Sequence, residues 1–319
     1  MKLNIFGYQR EKGWSVTEFP KLDSERTLLM VFGAPEFKAY SGPVRELVSA
    51  YPKSKVIGCS SAGEILQNRV HDKSLSVAIV QFEHTDIRVV RCRIENAADS
   101  KAVGASLAAQ LAHEDLASVF VLSDGLRVNG SELVKGLSSG LPPKVVVTGG
   151  LAADGSDFKQ TWVLSGADPL SGEVVAVGLY GRRVRIGHGS QGGWDIFGPR
   201  RTITRSKDNI LYEIDGKPAL QIYKEYLGEK AAELPSSGLL FPLQIQAPGD
   251  EHALVRTILS VDEQSQSMTF AGNMPQGHIA QLMRANFDRL IEGASGAASL
   301  VSGIRGDQPL LCIAISCVG

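Results

Sequence analysis

Gly58-Cys59-Ser60-Ser61-Ala62-Gly63-Glu64 packs a thiol, two hydroxyls and a carboxylate into seven residues, directly after the strand-like run Lys55-Val56-Ile57. Those residue types open three chemistries. Gly58-Cys59-Ser60-Ser61-Ala62 approaches the nucleophile elbow of hydrolases, but the motif wants glycine at the fifth position, where this chain has Ala62. No spacing of histidine and aspartate supports a triad. Cys59 could act as a thiolate if backbone N–H groups lowered its pKa; a small apolar residue in a turn is the plainer reading. The third chemistry is binding. Successive backbone N–H groups in a small-residue turn can form an anion-binding nest, Ser60 and Ser61 add hydroxyls, and Glu64 would accept an amine. That set suits a zwitterion such as an amino acid, against a competing reading as tight turns only.

The stretch has an echo. Thr148-Gly149-Gly150-Leu151-Ala152-Ala153-Asp154-Gly155 follows Val145-Val146-Val147. Shifting residues 43–64 by 90 positions, without a gap, superposes Val44 on Val134, Leu47 on Leu137, Ser49 on Ser139, Pro52 on Pro142, Val56 on Val146 and Ala62 on Ala152. Composition alone gives one or two such identities. The spacing predicts an internally duplicated strand–helix–strand–hairpin unit, at about 27–94 and 117–189. It also predicts a ligand-binding set of Cys59, Ser60, Ser61 and Glu64 from one turn with Gly149, Gly150 and Asp154 from the other.

Other candidates are thinner. Gly187-His188-Gly189-Ser190-Gln191-Gly192 has the form GxGxxG, but Gly193-Trp194-Asp195-Ile196-Phe197-Gly198-Pro199 cannot continue as the helix that dinucleotide binding requires. His188, among glycines and near Trp194 and Phe197, is the candidate axial ligand for a haem, set against an ordinary loop histidine. No two of the six histidines stand four apart, so no helical metal pair exists. Arginines and lysines crowd residues 182–207 and could bind a carboxylate or phosphate; a solvated face explains them as well, and they do not form the aromatic-interleaved basic stripe of nucleic-acid binders.

The elements that would hold these residues read as α/β (α+β). Strands are predicted at 27–32, 55–57, 119–122 and 145–147, with helices from Ser41 to Pro52 and from a cap at Asn129 to Pro142. Residues 75–82 and 87–94 read as a hairpin, 100–112 as a helix, and 161–165, 174–180 and 184–188 as strands. Beyond about 195 the texture changes. Strands are predicted at 201–205, 211–214, 240–245, 253–261, 267–270 and 309–317, a helix at 219–227 closed by Gly228, and a long helix over 276–302. The division expected is 1–195 with the repeat and 196–319 as a smaller α/β domain. A chain of 319 residues with 43% hydrophobic and 21% charged residues has the make-up of a globular protein. A net charge of −1 favours neither nucleic acid nor a membrane surface. Four cysteines without CxxC give no disulfide framework or zinc spacing. With no leader visible, a cytoplasmic setting is expected. Ending on a core strand suggests truncation at the C-terminus.

Taken in order, these motifs resemble a known family. Val56 to Ile65 and Thr148 to Gly155 look like signatures of the FIST sensory domain, and Ile214-Asp215-Gly216-Lys217-Pro218-Ala219 with Tyr223 and Leu227-Gly228 resembles the start of its C-terminal half. Met274-Pro275-Gln276-Gly277 and Ile315-Ser316-Cys317-Val318-Gly319 match later landmarks. The resemblance implies a non-enzymatic signal-input module that binds small ligands, amino acids among them. Its implied partners are a histidine kinase, a cyclic-dinucleotide protein or a chemotaxis module. Some similar stand-alone members are haem-binding nitric oxide sensors of two-component pathways.

Overall fold

A computed structural model describes residues 1–301 and 310–317. The fold is α+β, with five α-helices and several mixed sheets among the described residues. Contacts divide the chain into two compact units. One holds residues 1–128, 133–186 and 310–315; the other holds 129–132, 187–301 and 316–317.

The first unit is built twice from one plan. The first copy runs β1 (Lys2–Gln9), the short β2 (Gly13–Trp14), β3 (Thr27–Gly33), α1 (Gly42–Ser49), β4 (Lys55–Ser60), a small hairpin β5 (Glu64–Leu66) with β6 (Arg69–His71), and β7 (Ser74–Gln81). Leu28 to Val31 are buried on both faces of β3, as an apolar run demands when each face of a sheet is covered. β4 pairs parallel to β3 across the α1 crossover, β7 pairs antiparallel to β3, and β1 antiparallel to β7.

The second copy runs β8 (Asp86–Arg93), α2 (Ser100–Leu111), β9 (Leu116–Ser123), α3 (Gly130–Gly140) and β10 (Val146–Leu151). Two-residue strands β11 (Val163–Leu164) and β12 (Pro169–Leu170) then return beside β4, and β13 (Glu173–Tyr180) completes the copy. Its sheet order is β10-β9-β13-β8, against β4-β3-β7-β1 in the first copy. Leu28, Met30, Ile57 and Cys59 of one sheet meet Phe120, Leu122, Val175 and Val177 of the other. On the outer faces, α1 covers Leu29 and Val31 of the first sheet, and α2 and α3 cover Val119 and Val121 of the second. The layers are therefore helix, sheet, sheet, helix.

This topology corrects the hairpin expected at 75–82 and 87–94. Those strands lie in different sheets, and β8 opens the second copy instead of closing the first. The residue pattern identified both strands, but it carries no information about which neighbour a strand pairs with. The copies accordingly span about 2–81 and 86–180. The gapless 90-residue shift also fails at one place. Gly33 stands opposite Ser60, whereas Ser123 stands opposite Leu151, so β10 is displaced by one residue relative to β4. Glycine fixes this register. A Cβ at Gly58 would fall 2.1 Å from the Val31 carbonyl oxygen, and one at Gly149 would fall 1.8 Å from that of Val121. Gly58 and Gly149 are the equivalent pair.

Residues 184–188, expected as a strand, are irregular. Residues 310–317, also expected as strand, form no ladder, although Leu311 and Ile313 pack against the inter-sheet core. Pro309 and the Val318-Gly319 end of the last landmark lie outside the described residues.

The second unit continues with β14 (Trp194–Ile196), β15 (Arg201–Lys207), β16 (Ile210–Ile214), β17 (Lys217–Pro218), α4 (Ala219–Leu227), β18 (Leu243–Gln246), β19 (Ala253–Arg256), β20 (Ile258–Asp262), β21 (Ser267–Phe270), β22 (Ile279–Ala285) and α5 (Phe287–Leu300). Its sheet runs β19-β18-β22-β15-β16-β21-β20, with Leu220, Tyr223 and Leu227 of α4 packed among Ile203, Leu211, Leu243 and Phe270. The strand expected over 253–261 is two strands, parted at Thr257. The helix expected over 276–302 begins only at Phe287. Ile279, Leu282 and Met283 have helical spacing, yet they sit on β22, a central strand flanked by β18 and β15. Asn286 stops the strand and caps α5, its side chain accepting the Arg289 N–H.

The register constraint yields a test. Gly58→Ala and Gly149→Ala should each cost about 1–3 kcal/mol through overpacking in urea unfolding. Gly42→Ala, at the first turn of α1 with nothing within 4 Å of its Cβ position, should be near neutral.

Candidate functional site

β3 and β4 run parallel, as do β9 and β10, so their carboxyl ends carry the loops that bind ligands in open parallel arrangements. The turn after β4 begins at Ser61, whose N–H donates to the Gly33 carbonyl; the turn after β10 begins at Ala152, whose N–H donates to the Ser123 carbonyl. The two turns are joined. Ala153 donates its N–H to the carbonyl of Ser60 at 2.9 Å. Ser60 also donates its own N–H to the Trp162 carbonyl at 2.9 Å, and its Oγ accepts the Trp162 N–H at 3.1 Å. Trp162 is fully buried, and its indole N–H donates to the Ala34 carbonyl beyond β3.

This geometry sorts the predicted residues. Gly58, Cys59 and Ser60 are strand, not turn. Cys59 is buried in the inter-sheet core, and burial alone pushes its thiol up to about 12. A thiol so placed is protonated and shielded at neutral pH, which removes it as a nucleophile. Ser60 is 1% exposed and committed to Trp162.

Glu64, also 1% exposed, grips both roots of the β5–β6 hairpin. One carboxylate oxygen accepts the Ser61 hydroxyl at 2.7 Å. The other accepts the Ser74 N–H at 3.1 Å and its hydroxyl at 2.7 Å. Burial raises the Glu64 pKa against the opposing pull of those hydrogen bonds.

Gly149 has φ +150° and lies against Val121. Gly150 is half-buried beside the Ile315 side chain. Asp154 is not the counterpart of Glu64. It is half-buried and closes its own loop, accepting the N–H groups of Lys159 at 2.6 Å and Gln160 at 2.7 Å. Of the predicted set, the structure brings the two turns together, buries Cys59, Ser60 and Glu64, and leaves Ser61, Gly149, Gly150 and Asp154 half-buried.

His188 is exposed. The glycines around it serve packing: a Cβ at Gly189 would fall 1.9 Å from the Ala297 carbonyl oxygen, and one at Gly193 would fall 2.4 Å from the Leu290 nitrogen. Helix α5 thus fills the open backbone that a haem face would need, and the residues at His188 do not fit that group. No cluster of three or more metal-ligating side chains occurs among the described residues.

Three residues at this end escaped sequence reasoning. Asp124 is 1% exposed, its carboxylate accepting the N–H groups of Leu126, Arg127 and Gly172. The Asp124-Gly125 pair after an apolar strand was the available signal for such a turn. Trp162 gave none. Ser123 ends β9 with its hydroxyl buried and without a partner among the described residues.

Two outcomes follow. Ser60→Ala strips the Trp162 N–H of its acceptor and should cost about 1–3 kcal/mol, whereas Ser123→Ala removes an orphan hydroxyl and should be neutral or stabilising in the same denaturation series. A carboxyl whose pKa is raised on folding adds stability that is full below its unfolded value and lost as pH rises through its folded value. Wild type should therefore lose stability relative to Glu64→Gln as pH rises from acid through that raised value. A constant difference between the two across the titration would contradict the assignment.

A family model described as the FIST N domain matches residues 27–217, and one described as the FIST C domain matches residues 219–319. No curated protein matches the chain. Among the described residues no helix is long and apolar enough to cross a membrane. The N-terminal match starts at β3, so β1, which completes the first four-stranded copy, precedes it. With both halves matched from β3 onward, the chain belongs to the FIST family, whose domains are the sensory parts of signalling proteins.

Proposed function

We propose that this chain is a non-catalytic sensor. It binds a small zwitterionic metabolite of the amino-acid class at the paired turns after β4 and β10, and it signals to a partner such as a histidine kinase or a cyclic-dinucleotide protein. The observation that carries the reading is the Ala153 N–H to Ser60 carbonyl hydrogen bond, because it makes one locus of two turns. At that locus Ser61 offers a hydroxyl and Asp154 a carboxylate for an ammonium group. Gly150, half-buried and without a side chain, lies beside them. The buried Ser123 hydroxyl, at the end of the neighbouring strand β9, has no hydrogen-bond partner among the described residues.

The competing chemistries have less behind them. Cys59 is buried and protonated, Ser60 is committed to Trp162, and neither has a general base among its partners. A haem at His188 meets a backbone already packed by α5.

A thermal-shift screen of amino acids and related metabolites should return at least one stabilising compound. At about 100 times its dissociation constant, such a ligand contributes about 2.7 kcal/mol. The paired variant Ser61→Ala with Asp154→Asn should abolish the shift while leaving the unliganded melting temperature within a few degrees of wild type. A panel with no hit, or a shift that survives both substitutions, would sink the proposal.

A further inference from the structure

Sheet edges expose unpaired N–H and C=O groups, and proteins ordinarily blunt them by shortness, bulges, proline or charge. Most edges in this chain follow that rule. The first sheet ends on the two-residue strands β12 and β2, although β2 covers only Tyr8 and Gln9 of β1 and leaves the start of β1 without a ladder partner on that side among the described residues. In the second unit, β19 has four residues, and β20 has five with an irregular register. β10 carries two glycines, one of them against Ile315.

β8 departs from it. It has eight residues, Asp86-Ile87-Arg88-Val89-Val90-Arg91-Cys92-Arg93, without proline or glycine. It pairs with β13 in unbroken register over all eight, and among the described residues nothing pairs with its other side. Charge is what guards it among the described residues. Arg88, Arg91 and Arg93 are exposed. Arg93 has only a long 3.8 Å contact to Glu95, and Arg88 and Arg91 have no carboxylate partner among the described residues. The one acid of the strand, Asp86, is taken by Arg26 at 2.8 Å.

We propose that β8 is a docking edge on which an extended acidic segment of a signalling partner adds as a fifth strand. The backbone ladder would supply affinity and the arginines selection. A second copy of this chain fits poorly. Antiparallel pairing of β8 with itself over all eight residues would set Arg88 of each copy opposite Arg91 of the other, and like charges directly opposite are destabilising. An acidic strand turns the same charges to attraction. Arg91 and Arg93 share a face with Ile87 and Val89, so acids at alternate positions of the incoming segment meet them on that side.

The test uses the full chain and two acetylated heptapeptides, Glu-Val-Glu-Val-Glu-Val-Glu and its lysine counterpart. The acidic peptide should bind, more weakly as salt rises, and should slow hydrogen exchange at β8 amides. Reversing the charges in Arg88→Glu, Arg91→Glu and Arg93→Glu, all at exposed positions, should weaken the acidic peptide by about tenfold or more and favour the lysine peptide. Absence of acidic-peptide binding, equal binding of both peptides, an unchanged preference in the variant, or a wild-type dimer with protection mapped to β8 would each overturn the proposal. Strand addition needs no ligand at the turns, so this titration and the metabolite screen fail independently.

Discussion

Ser60 is the residue on which the two copies of the first unit depend. At 1% exposure its backbone must find protein partners, because a buried unpaired N–H or carbonyl costs about as much as a lost hydrogen bond. The partners come from two places. Trp162, which leads into β11, takes the N–H and supplies a donor to Oγ; Ala153, beyond β10, supplies the donor to the carbonyl. One residue at the end of β4 therefore secures the return of the chain to its own sheet and the turn of the other copy. Serine meets the requirement because its short side chain adds an acceptor without volume, in a place flanked by Cys59 in the core and Gly33 on the neighbouring strand.

The duplication shows which parts of a plan are kept and which drift. Strand order is the same in both sheets, and glycine recurs where β4 passes Val31 and β10 passes Val121. The carboxylates do not correspond. Glu64 turns inward to hold a hairpin, and Asp154 ties a surface loop. Asp124, at the end of β9, orders the loop that follows it, while the matching end of β3 has Ala34, whose carbonyl holds the Trp162 indole. A shared strand order thus carries different polar contacts in the two copies.

Much of this was readable from residues alone, for identifiable reasons. β3, α1 and β4, and again β9, α3 and β10, announced themselves through apolar runs, prolines at helix ends and the Asn129 cap, all local signals. Pairing partners were not local. β7 and β8 are adjacent in sequence yet belong to different sheets, and no pattern within either strand says so. β22 was hidden because Ile279, Leu282 and Met283 satisfy helical spacing, while neighbours far along the chain made them a central strand. The glycines around His188 resembled a cofactor loop, but their function is to let residues 189–193 lie against α5, a contact visible only in three dimensions. Sequence showed Cys59, Ser60 and Glu64 as a set, and burial separated them from Ser61 and Asp154.

The junction at Ser60 is tested most directly by amide hydrogen exchange at Ala153. That N–H belongs to a turn outside any strand and would ordinarily exchange at loop rates. Because it is held by Ser60, it should be protected to the same degree as the β4 and β9 amides, and it should lose protection together with the Trp162 amide when the fold is loosened by denaturant. Free exchange at Ala153 in an otherwise protected core would show that the two turns are not joined, and the single binding locus proposed on that bond would fall with it.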